Sequence, residues 1–556
     1  MTKRITGGRY LAEMLKIHDV SHVFYMDAVL RAALVEMDEL GVRYVLAHSE
    51  KGAAYMADGY ARAARRPGFC FAQSVGAANL AAGLQDAYLA QTPVIAITGR
   101  QIQRNQYRNA YQEVPHQPLF QSVTNFSGVA DQVDQYSHVF RTAWRSAMAS
   151  MAPAHLDLGG HTADLTAIQE DEFDVIRDER MCRIPAFRPG ASAMEIDELA
   201  QAIDRAERPV FVLGIGAVHS DAGSALTSLV DRIGAGVVSS LDGKNVLFER
   251  HELNGGIAGS YSSESANRIM AEADLVILAG SEAGDQVTYN FQLVAADAAV
   301  FQIDPNPVEL GRNFPRARYL QSDVARCFED LATRVSENRR EAWRAFISGA
   351  VSAWKEKAAA RKSSNSVPMR PERLCLELER LLPSDAILVA DTGFSSQWSG
   401  TLVDFNSPNQ RYIRAAGSLG WGFPAAIGAK AAAPERPVVC FTGDAGFMYH
   451  LPELETARRH GFHTITVINN NLAVAQGLEN IKAIFKDRGK PSNAYVYGSV
   501  DFAAVAQAFG CFGARVRTPE QFPDAFHAAV AASLPAVIDV LTDVDAQPIP
   551  AWSPPR

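Results

Sequence analysis

Short runs of apolar and often β-branched residues alternate along this chain with longer segments of helical character. The clearest runs span residues 93–97, 209–213, 275–278, 386–390, 437–441 and 464–468. Uninterrupted apolar strands that alternate with helices are typical of parallel sheets covered by helices on both faces. The pattern therefore predicts an α/β protein throughout.

Two charged segments interrupt this alternation, near residues 168–192 and 334–368. The chain has 556 residues, which is too long for one hydrophobic core because a domain averages about 150 residues. We therefore predict three doubly wound parallel-sheet domains, which span residues 1–167, 190–335 and 368–548.

The overall composition narrows the choice of partners and location. With 53 basic and 62 acidic residues the net charge is −9, so the chain lacks the basic surface that nucleic-acid binding requires. No stretch approaches the roughly 18 apolar residues of a membrane span. The six cysteines are scattered without a CxxC pair, as expected for buried, reduced thiols. We expect a cytoplasmic protein with neither a nucleic-acid nor a membrane partner.

The most specific chemical pattern lies in the predicted third domain. One strand is followed by Gly443-Asp444-Ala445-Gly446, and the next strand by Asn469-Asn470-Asn471. Asp444 and Asn471 are 27 positions apart, which places both at the carboxyl edge of a parallel sheet, where ligands bind. Carboxylate and amide oxygens suit Mg²⁺, and small residues let main-chain amides approach a phosphate. Each residue alone is also a common turn former, but the spaced pair favours a metal-diphosphate site.

The same segment resembles the signature of thiamine-diphosphate-dependent enzymes, specifically the acetolactate-synthase-like and 2-oxo acid decarboxylase branch. Three further segments are similar to motifs of that branch: residues 48–62 to its glutamate helix, and residues 391–395 and 417–428 to two turns of its diphosphate-binding domain. Four motifs in the family's order extend over nearly the whole chain. The resemblance implies a pyrimidine-binding domain, a central domain and a diphosphate-binding domain, with thiamine diphosphate and Mg²⁺ as cofactors.

The resemblance also implies roles for individual residues. Glu50 matches the glutamate that hydrogen-bonds the pyrimidine N1′ of the coenzyme, although it could also be a surface charge at a helix start. Leu419 matches the apolar residue that keeps the coenzyme bent, and Gly417 the residue whose carbonyl accepts from the 4′-amino group. The implied metal ligands are the side chains of Asp444 and Asn471 and the carbonyl of Ala473, while Ser395 and the amides of Ala445 and Gly446 contact the diphosphate. In the family the glutamate and the diphosphate-binding domain of one site belong to different chains. This implies a homodimer or homotetramer with active sites between chains.

A loop of the first domain supplies the candidate for substrate contact. Residues 110–116, Ala-Tyr-Gln-Glu-Val-Pro-His, are similar to the acetolactate-synthase-like loop in which a glutamine faces the thiazolium. Gln112 is therefore a catalytic candidate, because a neutral amide can orient a carbonyl without adding charge. A plain polar loop is the equal alternative. His116 belongs to the pKa class of proton-transfer groups, but a lone histidine is more often structural.

The chain departs from the family pattern in several places. Ala445 replaces the second glycine of Gly-Asp-Gly, which requires that this residue avoid a positive φ. The loop Gln73–Ala77 differs from the familiar Ser-Gly-Pro-Gly turn, and Asn480 stands where acetolactate synthases carry Trp. The central segment 213–219 lacks the third glycine of GxGxxG, so bound FAD or ADP is considered but not favoured. Because the departures fall on pocket loops, the identity of the substrate stays open.

We therefore expect a C–C bond lyase or ligase that acts on a small carbonyl substrate, a 2-oxo acid or a related compound, by acetolactate-synthase-like carboligation or decarboxylation. Within the family the alternatives are a 2-hydroxyacyl-CoA lyase, a benzaldehyde-lyase-like enzyme and a diketone-cleaving hydrolase. Outside it they are a nucleotide-dependent oxidoreductase, which the broken glycine motif disfavours, and a non-catalytic assembly subunit, which the presence of Glu50, Asp444 and Asn471 disfavours.

Overall fold

Three six-stranded parallel sheets follow one another along the chain and form its framework. The computed structural model describes residues 2–485 and 494–555, except for the side chain of Glu479. Helices flank each sheet, so the predicted α/β class with three doubly wound domains is confirmed. None of the helices in the described part of the chain is long and apolar enough to cross a membrane.

The first sheet belongs to the N-terminal part of the chain. Its region contains β1 (Thr2–Thr6), α1 (Gly7–Ile17), β2 (His22–Tyr25), α2 (Arg31–Leu40), β3 (Arg43–Leu46), α3 (Glu50–Ala64), β4 (Gly68–Ala72), α4 (Ala77–Leu89), β5 (Val94–Arg100), α5 (Gln117–Phe120), β6 (Phe126–Ala130), α6 (Val133–Ser150), β7 (Ala154–Gly159), α7 (Asp164–Ile168) and β8 (Glu170–Asp174). The strand order is β3-β2-β4-β5-β7-β6. The chain changes direction across the sheet between β2 and β4, and the loop Gln73–Ala77 begins there.

The central sheet has the strand order of the dinucleotide-binding fold, β11-β10-β9-β12-β13-β14. Its elements are α8 (Ala193–Arg205), β9 (Pro209–Leu213), α9 (Ile215–Ser220), α10 (Gly223–Ile233), β10 (Gly236–Ser239), β11 (Asn254–Ile257), α11 (Glu264–Glu272), β12 (Leu275–Ala279), α12 (Asp285–Thr288), β13 (Ala299–Asp304), β14 (Arg318–Gln321) and α13 (Val324–Ala332). A long helix, α14 (Glu341–Lys362), then leads to the third domain.

The third sheet repeats the topology of the first, with the order β16-β15-β17-β18-β20-β19. Its elements are α15 (Pro371–Leu381), β15 (Ile387–Ala390), α16 (Phe394–Leu402), β16 (Arg411–Arg414), α17 (Gly422–Ala432), β17 (Val438–Gly443), α18 (Asp444–Met448), α19 (Glu453–His460), β18 (Thr464–Asn470), α20 (Ala475–Phe485), α21 (Phe502–Ala508), β19 (Phe512–Val516), α22 (Phe522–Ala531) and β20 (Ala536–Leu541). The change of direction lies between β15 and β17, so Asp391 and Asp444 both follow strands at the expected ligand-binding crevice.

The two predicted breaks between domains contain regular structure. In the first, β8 pairs back with β1 as an antiparallel ribbon, with Thr2 opposite Asp174. In the second, α14 buries Trp343, whose indole N–H donates to the Pro209 carbonyl at 3.0 Å. Most charged residues of these segments lie at surface positions, while a few apolar side chains of the same elements pack against the domains.

The first and third domains share one apolar core, in which α3 crosses α17 at very short range. A Cβ atom on Gly428 would lie 1.9 Å from the Met56 carbonyl oxygen, and one on Gly59 would lie 2.1 Å from the Ala425 carbonyl oxygen. Only glycine fits at either position. The crossing therefore fixes the helix that begins at Glu50 against the helix that follows the Gly417–Leu419 turn.

Candidate active site

Asp444 and Asn471 lie at the ends of neighbouring strands of the third sheet. Asp444 directly follows β17, Asn471 directly follows β18, and the two strands are paired in parallel. The Ala473 N–H donates both to Asp444 Oδ2 and to Asn471 Oδ1, at 3.1 Å each. The structure thus brings the three predicted metal ligands together around one main-chain amide.

The Asp444 carboxylate is buried, at 3% exposure, and pairs with no cation among the described residues. Its second oxygen accepts the Ala445 N–H at 2.7 Å. Burial raises the pKa of Asp444 to about 6 in spite of these main-chain donors. The Oδ1 atom of Asn469 is also buried and lacks a hydrogen-bond partner within the described part of the chain. A buried carboxylate beside carboxamide oxygens is a donor set that fits Mg²⁺.

A second buried carboxylate, that of Asp391, ties the neighbouring turns together. It accepts hydrogen bonds from the Gly420 N–H at 3.1 Å and from the Thr442 hydroxyl at 3.1 Å. A Cβ atom on Gly446 would lie 2.7 Å from Asp391 Oδ2, so this position admits no side chain. Burial raises the pKa of Asp391 to about 6. Asp391 therefore joins the ends of β15 and β17 to the turn that precedes α17.

The residues predicted to contact the diphosphate surround the same turn. Ser395 is buried in the first turn of α16, and its Oγ lies 3.8 Å from the position of a Cβ on Gly443. Ala445 and Gly446 lie in the first turn of α18. Ala445 has no positive φ, so alanine is accommodated in place of the family's glycine.

The Gly417–Leu419 turn is held by Asp86 of the first domain. The Asp86 carboxylate accepts from the amides of Ala416, Gly417 and Ser418 at 2.8, 3.2 and 3.0 Å. Leu419 is half-buried and Gly417 is exposed. Asp86 engages the Gly417 amide, not the carbonyl that the prediction requires for the coenzyme contact.

Asp86 belongs to a buried network that the sequence analysis missed. The Arg62 guanidinium contacts Asp58 at 2.7 Å and Asp86 at 3.1 Å, and it lies 4.6 Å from the centre of the Trp421 ring. The Trp421 indole N–H also donates to Asp58 at 2.8 Å. The available signal was an aspartate and an arginine four positions apart in an otherwise apolar helix, since buried charges are normally paired.

Glu50 is the first residue of α3, and it is half-buried. The cap of this helix is Ser49, whose hydroxyl accepts the Gly52 N–H at 3.0 Å. The Glu50 carboxylate instead accepts from the Asn79 amide at 3.1 Å, and a Cβ on Gly76 would lie 2.5 Å from its Oε1 atom. Glu50 therefore rests against the loop Gln73–Ala77.

Gln112 reaches the same loop from the other side. Its backbone is in the left-handed region, with a φ of 59°, and its carbonyl accepts a short hydrogen bond from the Ser74 hydroxyl. The side-chain oxygen Oε1 is buried and has no partner among the described residues. His116 is buried below the loop and faces Asp157 at 3.0 Å. The structure thus places Glu50 and Gln112 at one loop of the first domain, and Asp444, Asn471 and Ala473 at one edge of the third.

The glycine turn of the central domain is used for packing. The Gly214 N–H donates to the Ala279 carbonyl at 3.1 Å, and the Gly216 N–H to the Gly280 carbonyl at 2.9 Å. A Cβ on Gly214 would lie 2.2 Å from the Gly280 carbonyl oxygen. These two amides are committed to the neighbouring loop and are not free to bind a phosphate.

Three parts of the chain match the thiamine pyrophosphate enzymes, named after the coenzyme also called thiamine diphosphate. Residues 5–119 match their N-terminal TPP binding domain, residues 196–331 their central domain, and residues 391–540 their C-terminal TPP binding domain. The matches follow the order of the three sheets.

Similar proteins carry the name acetolactate synthase. The chain is 28% identical to the acetolactate synthase of Arthrospira platensis over 589 aligned positions, which cover 99% of this chain and 96% of the relative. It is 27% identical to the acetolactate synthase large subunit of Cyanidium caldarium, with 99% and 95% covered. It is also 27% identical to the probable acetolactate synthase large subunit of Methanocaldococcus jannaschii, with 90% and 85% covered. The predicted resemblance is confirmed: the chain belongs to the thiamine-pyrophosphate-dependent enzymes and is an acetolactate-synthase-like member of that family.

Proposed function

We propose that the protein is a Mg²⁺- and thiamine-diphosphate-dependent lyase or ligase that breaks or forms a C–C bond beside the carbonyl of a 2-oxo acid or a related compound. Acetolactate-synthase-like carboligation or decarboxylation is the favoured reaction. The observation that carries the proposal is the cluster of Asp444, Asn471 and Ala473, in which a buried carboxylate pairs with no cation among the described residues. The names of the relatives support the same reaction class.

In this proposal the third domain binds the metal and the diphosphate. Asp444, Asn471 and the Ala473 carbonyl hold Mg²⁺, and its charge offsets the burial of the Asp444 carboxylate. Ser395 and the amides that follow Asp444 contact the diphosphate. When bound, the coenzyme supplies a carbon nucleophile for the substrate carbonyl and a sink for the charge that develops there.

The first domain and the turn before α17 of the third domain together supply the groups around the reacting atoms. Glu50 hydrogen-bonds the pyrimidine of the coenzyme, and the Asn79 amide orients its carboxylate. Leu419 supports the bent coenzyme, and the Gly417 carbonyl accepts from its amino group. The side-chain amide of Gln112, whose Oε1 atom is buried and has no partner among the described residues, hydrogen-bonds the substrate. Its N–H group donates to a carbonyl oxygen, and Oε1 accepts from a hydroxyl group formed at that carbon.

We further propose that two chains complete each site. The contacts described for Glu50 lie within the first domain, and those of Asp444 lie within the third. Apolar side chains near both halves are exposed, among them Tyr111 at 73% and Tyr449 at 58%. A second copy of the chain would cover such a surface, giving a homodimer or a homotetramer.

Calorimetry tests the cofactor assignment. Wild-type protein should bind thiamine diphosphate in Mg²⁺ and lose most of that affinity in a chelator. Asp444→Ala should bind weakly even in excess Mg²⁺, because a hard ligand is missing. Tight binding by this variant would show that the metal is held elsewhere.

A substrate panel tests the reaction. The protein, loaded with thiamine diphosphate and Mg²⁺, is incubated with 2-oxo acids alone and in pairs, with 2-hydroxyacyl-CoAs and with 1,2-diketones. Release of CO₂ together with an aldehyde or a 2-hydroxy ketone supports the proposal. Turnover confined to the acyl-CoAs or to the diketones would replace it with one of the other subtypes.

A further inference from the structure

A chain of buried polar groups runs from the core of the first domain to the loop that carries Gln112. Asp157 Oδ1 lies 3.0 Å from His116 Nδ1, and His116 Nε2 lies 3.3 Å from Ser74 Oγ. The Ser74 hydroxyl donates to the Gln112 carbonyl. Ser74 has no exposed surface, and His116 and Asp157 are almost fully buried. These contacts connect Asp157 on β7 with Gln112, the predicted substrate-facing residue.

The hydrogen bonds around Thr98 fix the orientation of this chain. The Thr98 hydroxyl donates to Asp157 at 2.9 Å, so its oxygen can only accept from His155 Nε2, 2.7 Å away. Burial lowers the pKa of His155 to about 3, so its ring is neutral and its Nδ1 accepts from the Ser127 hydroxyl at 2.8 Å. Asp157 thereby keeps a lone pair for His116 Nδ1–H, which sets the direction of the His116 ring. Ser74 Oγ, whose own hydrogen goes to the Gln112 carbonyl, can accept only from His116 Nε2–H.

His116, His155 and Asp157 resemble a metal site, because one ligand atom of each lies within 4.8 Å of the others. The Thr98 hydroxyl oxygen, however, lies 3.2, 2.7 and 2.9 Å from the ligand atoms of His116, His155 and Asp157. It occupies the centre where a metal ion would have to bind. The cluster is therefore a hydrogen-bond network.

The series of hydrogen bonds ends at Gln112, whose backbone conformation has to be stabilised by its surroundings. Gln112 has a φ of 59°, a region that non-glycine residues seldom adopt, so its conformation persists only where its surroundings enforce it. The Ser74 hydroxyl supplies one such restraint on the Gln112 carbonyl. Ser74 also belongs to the loop that contacts Glu50 through Gly76. One serine thus lies between the two catalytic candidates of the first domain.

We propose that His116, oriented by Asp157, is a positioning residue that holds Ser74 and, through it, the backbone of Gln112 in the conformation needed for turnover. His116 itself does not touch the substrate. The inference rests on the proposed function, because it assigns His116 a task only if Gln112 contacts the substrate.

Two substitutions of His116 test the roles of its two ring nitrogens separately. In His116→Asn the side-chain amide can replace Nδ1 toward Asp157 but does not reach Ser74. In His116→Gln it can replace Nε2 toward Ser74. Both variants bury a neutral amide, so they form a matched pair for stability. Ser74→Ala removes the last link, and Ser127→Ala removes a hydrogen bond of the same network on the side away from Gln112.

Hydrogen–deuterium exchange of the full-length protein measures the loop directly and needs no turnover. Amides of residues 107–114 should exchange faster in Ser74→Ala and His116→Asn, and at the wild-type rate in Ser127→Ala and His116→Gln. In the holoenzyme kcat should fall about tenfold in the first two variants, the effect of losing one hydrogen bond that holds Gln112, with coenzyme affinity unchanged. Gln112→Ala should lose as much, and Ser74→Ala should then add little to it.

The positioning role is overturned if Ser74→Ala and His116→Asn leave both loop exchange and kcat unchanged. It is also overturned if Ser127→Ala reduces kcat as much as they do, because the network then acts only through stability. Should the wild-type protein turn over none of the carbonyl substrates, the proposed function fails, and the exchange rates alone still decide whether His116 and Ser74 hold the loop.

Discussion

Replacing Asp444 by Asn should make the coenzyme-free protein more stable and, at the same time, abolish its Mg²⁺-dependent coenzyme binding. The two effects have one cause. Asp444 is buried and pairs with no cation among the described residues, so its ionised form is held at a disadvantage until a metal ion binds. Asn removes that disadvantage together with the charge that attracts the metal.

The size of the gain follows from the pKa of Asp444. Burial raises the pKa from 3.8 to about 6, and a shift of this size corresponds to roughly 3 kcal/mol. Between these two values the folded protein binds more protons than the unfolded chain, so stability falls as the pH rises, and the full penalty is present above about pH 6. An Asn side chain has one acceptor oxygen for the Ala445 and Ala473 amides, which loses about 1 kcal/mol. The net gain near neutral pH is therefore about 2 kcal/mol.

Urea unfolding of the coenzyme-free protein at several pH values measures this gain. Asp444→Asn should exceed wild type by about 2 kcal/mol near pH 7 and lose that advantage entirely near pH 4, where wild-type Asp444 is protonated. Asp391→Asn is the matched control. Its carboxylate has the same pKa of about 6 but accepts from four groups, so the amide loses more hydrogen bonds and should gain little. The reasoning is refuted if Asp444→Asn is no more stable than wild type near pH 7, or if it still binds the coenzyme tightly in Mg²⁺.

Three further results are expected. Glu50→Gln should nearly abolish turnover while the fold and the coenzyme affinity are retained. Ser49→Ala, which removes the helix cap next to it, should instead lower stability by about 1 kcal/mol and keep turnover. Near-normal activity of Glu50→Gln would mean that this side chain has no catalytic role. Mixing inactive Glu50→Gln and Asp444→Ala subunits should restore activity, because a mixed dimer has one site with both native residues; exchanging subunits that stay inactive would contradict sites shared between chains. Gly428→Ala should lower the melting temperature, because its Cβ would lie 1.9 Å from a carbonyl oxygen of α3. Gly349→Ala in α14 is the control and should not lower it, because a Cβ there meets nothing within 4 Å. Equal melting curves for the two variants would show that the crossing of α3 and α17 tolerates a side chain.

The sheets, and the sheet edge where the proposed metal ligands lie, could be predicted because both depend on local pattern. Apolar runs mark the strands, and 27 positions separate Asp444 from Asn471, as expected for residues that follow successive parallel strands. Once the strands are placed, the carboxyl edge is fixed by topology alone. The position of Ala473 beside both predicted ligands follows from the same short segment.

The contacts that hold the site turns in place could not be predicted, because they join residues that are far apart in the sequence. Asp86 binds the Gly417 amide across 331 positions, and Trp421 donates to Asp58 across 363. Each of these residues lies in or beside a helix whose periodicity indicates only that it packs. A buried carboxylate in such a helix signals that a partner exists, but the sequence does not say which one.

The departures from the family pattern differ in which part of the proposed site they affect. Ala445, the one departure beside the predicted metal ligands, has no positive φ, so it leaves that turn intact. The altered loop Gln73–Ala77, by contrast, contacts Glu50 through Gly76 and Gln112 through Ser74. A change in this loop can therefore shift both first-domain candidates while Asp444, at the edge of the third sheet, keeps its position. For this reason we expect the first domain to determine the substrate preference of the protein. Exchanging residues 73–77 for a Ser-Gly-Pro-Gly turn should alter the ranking of carbonyl substrates and leave the affinity for thiamine diphosphate unchanged. An unaltered ranking would show that this loop does not determine the substrate preference.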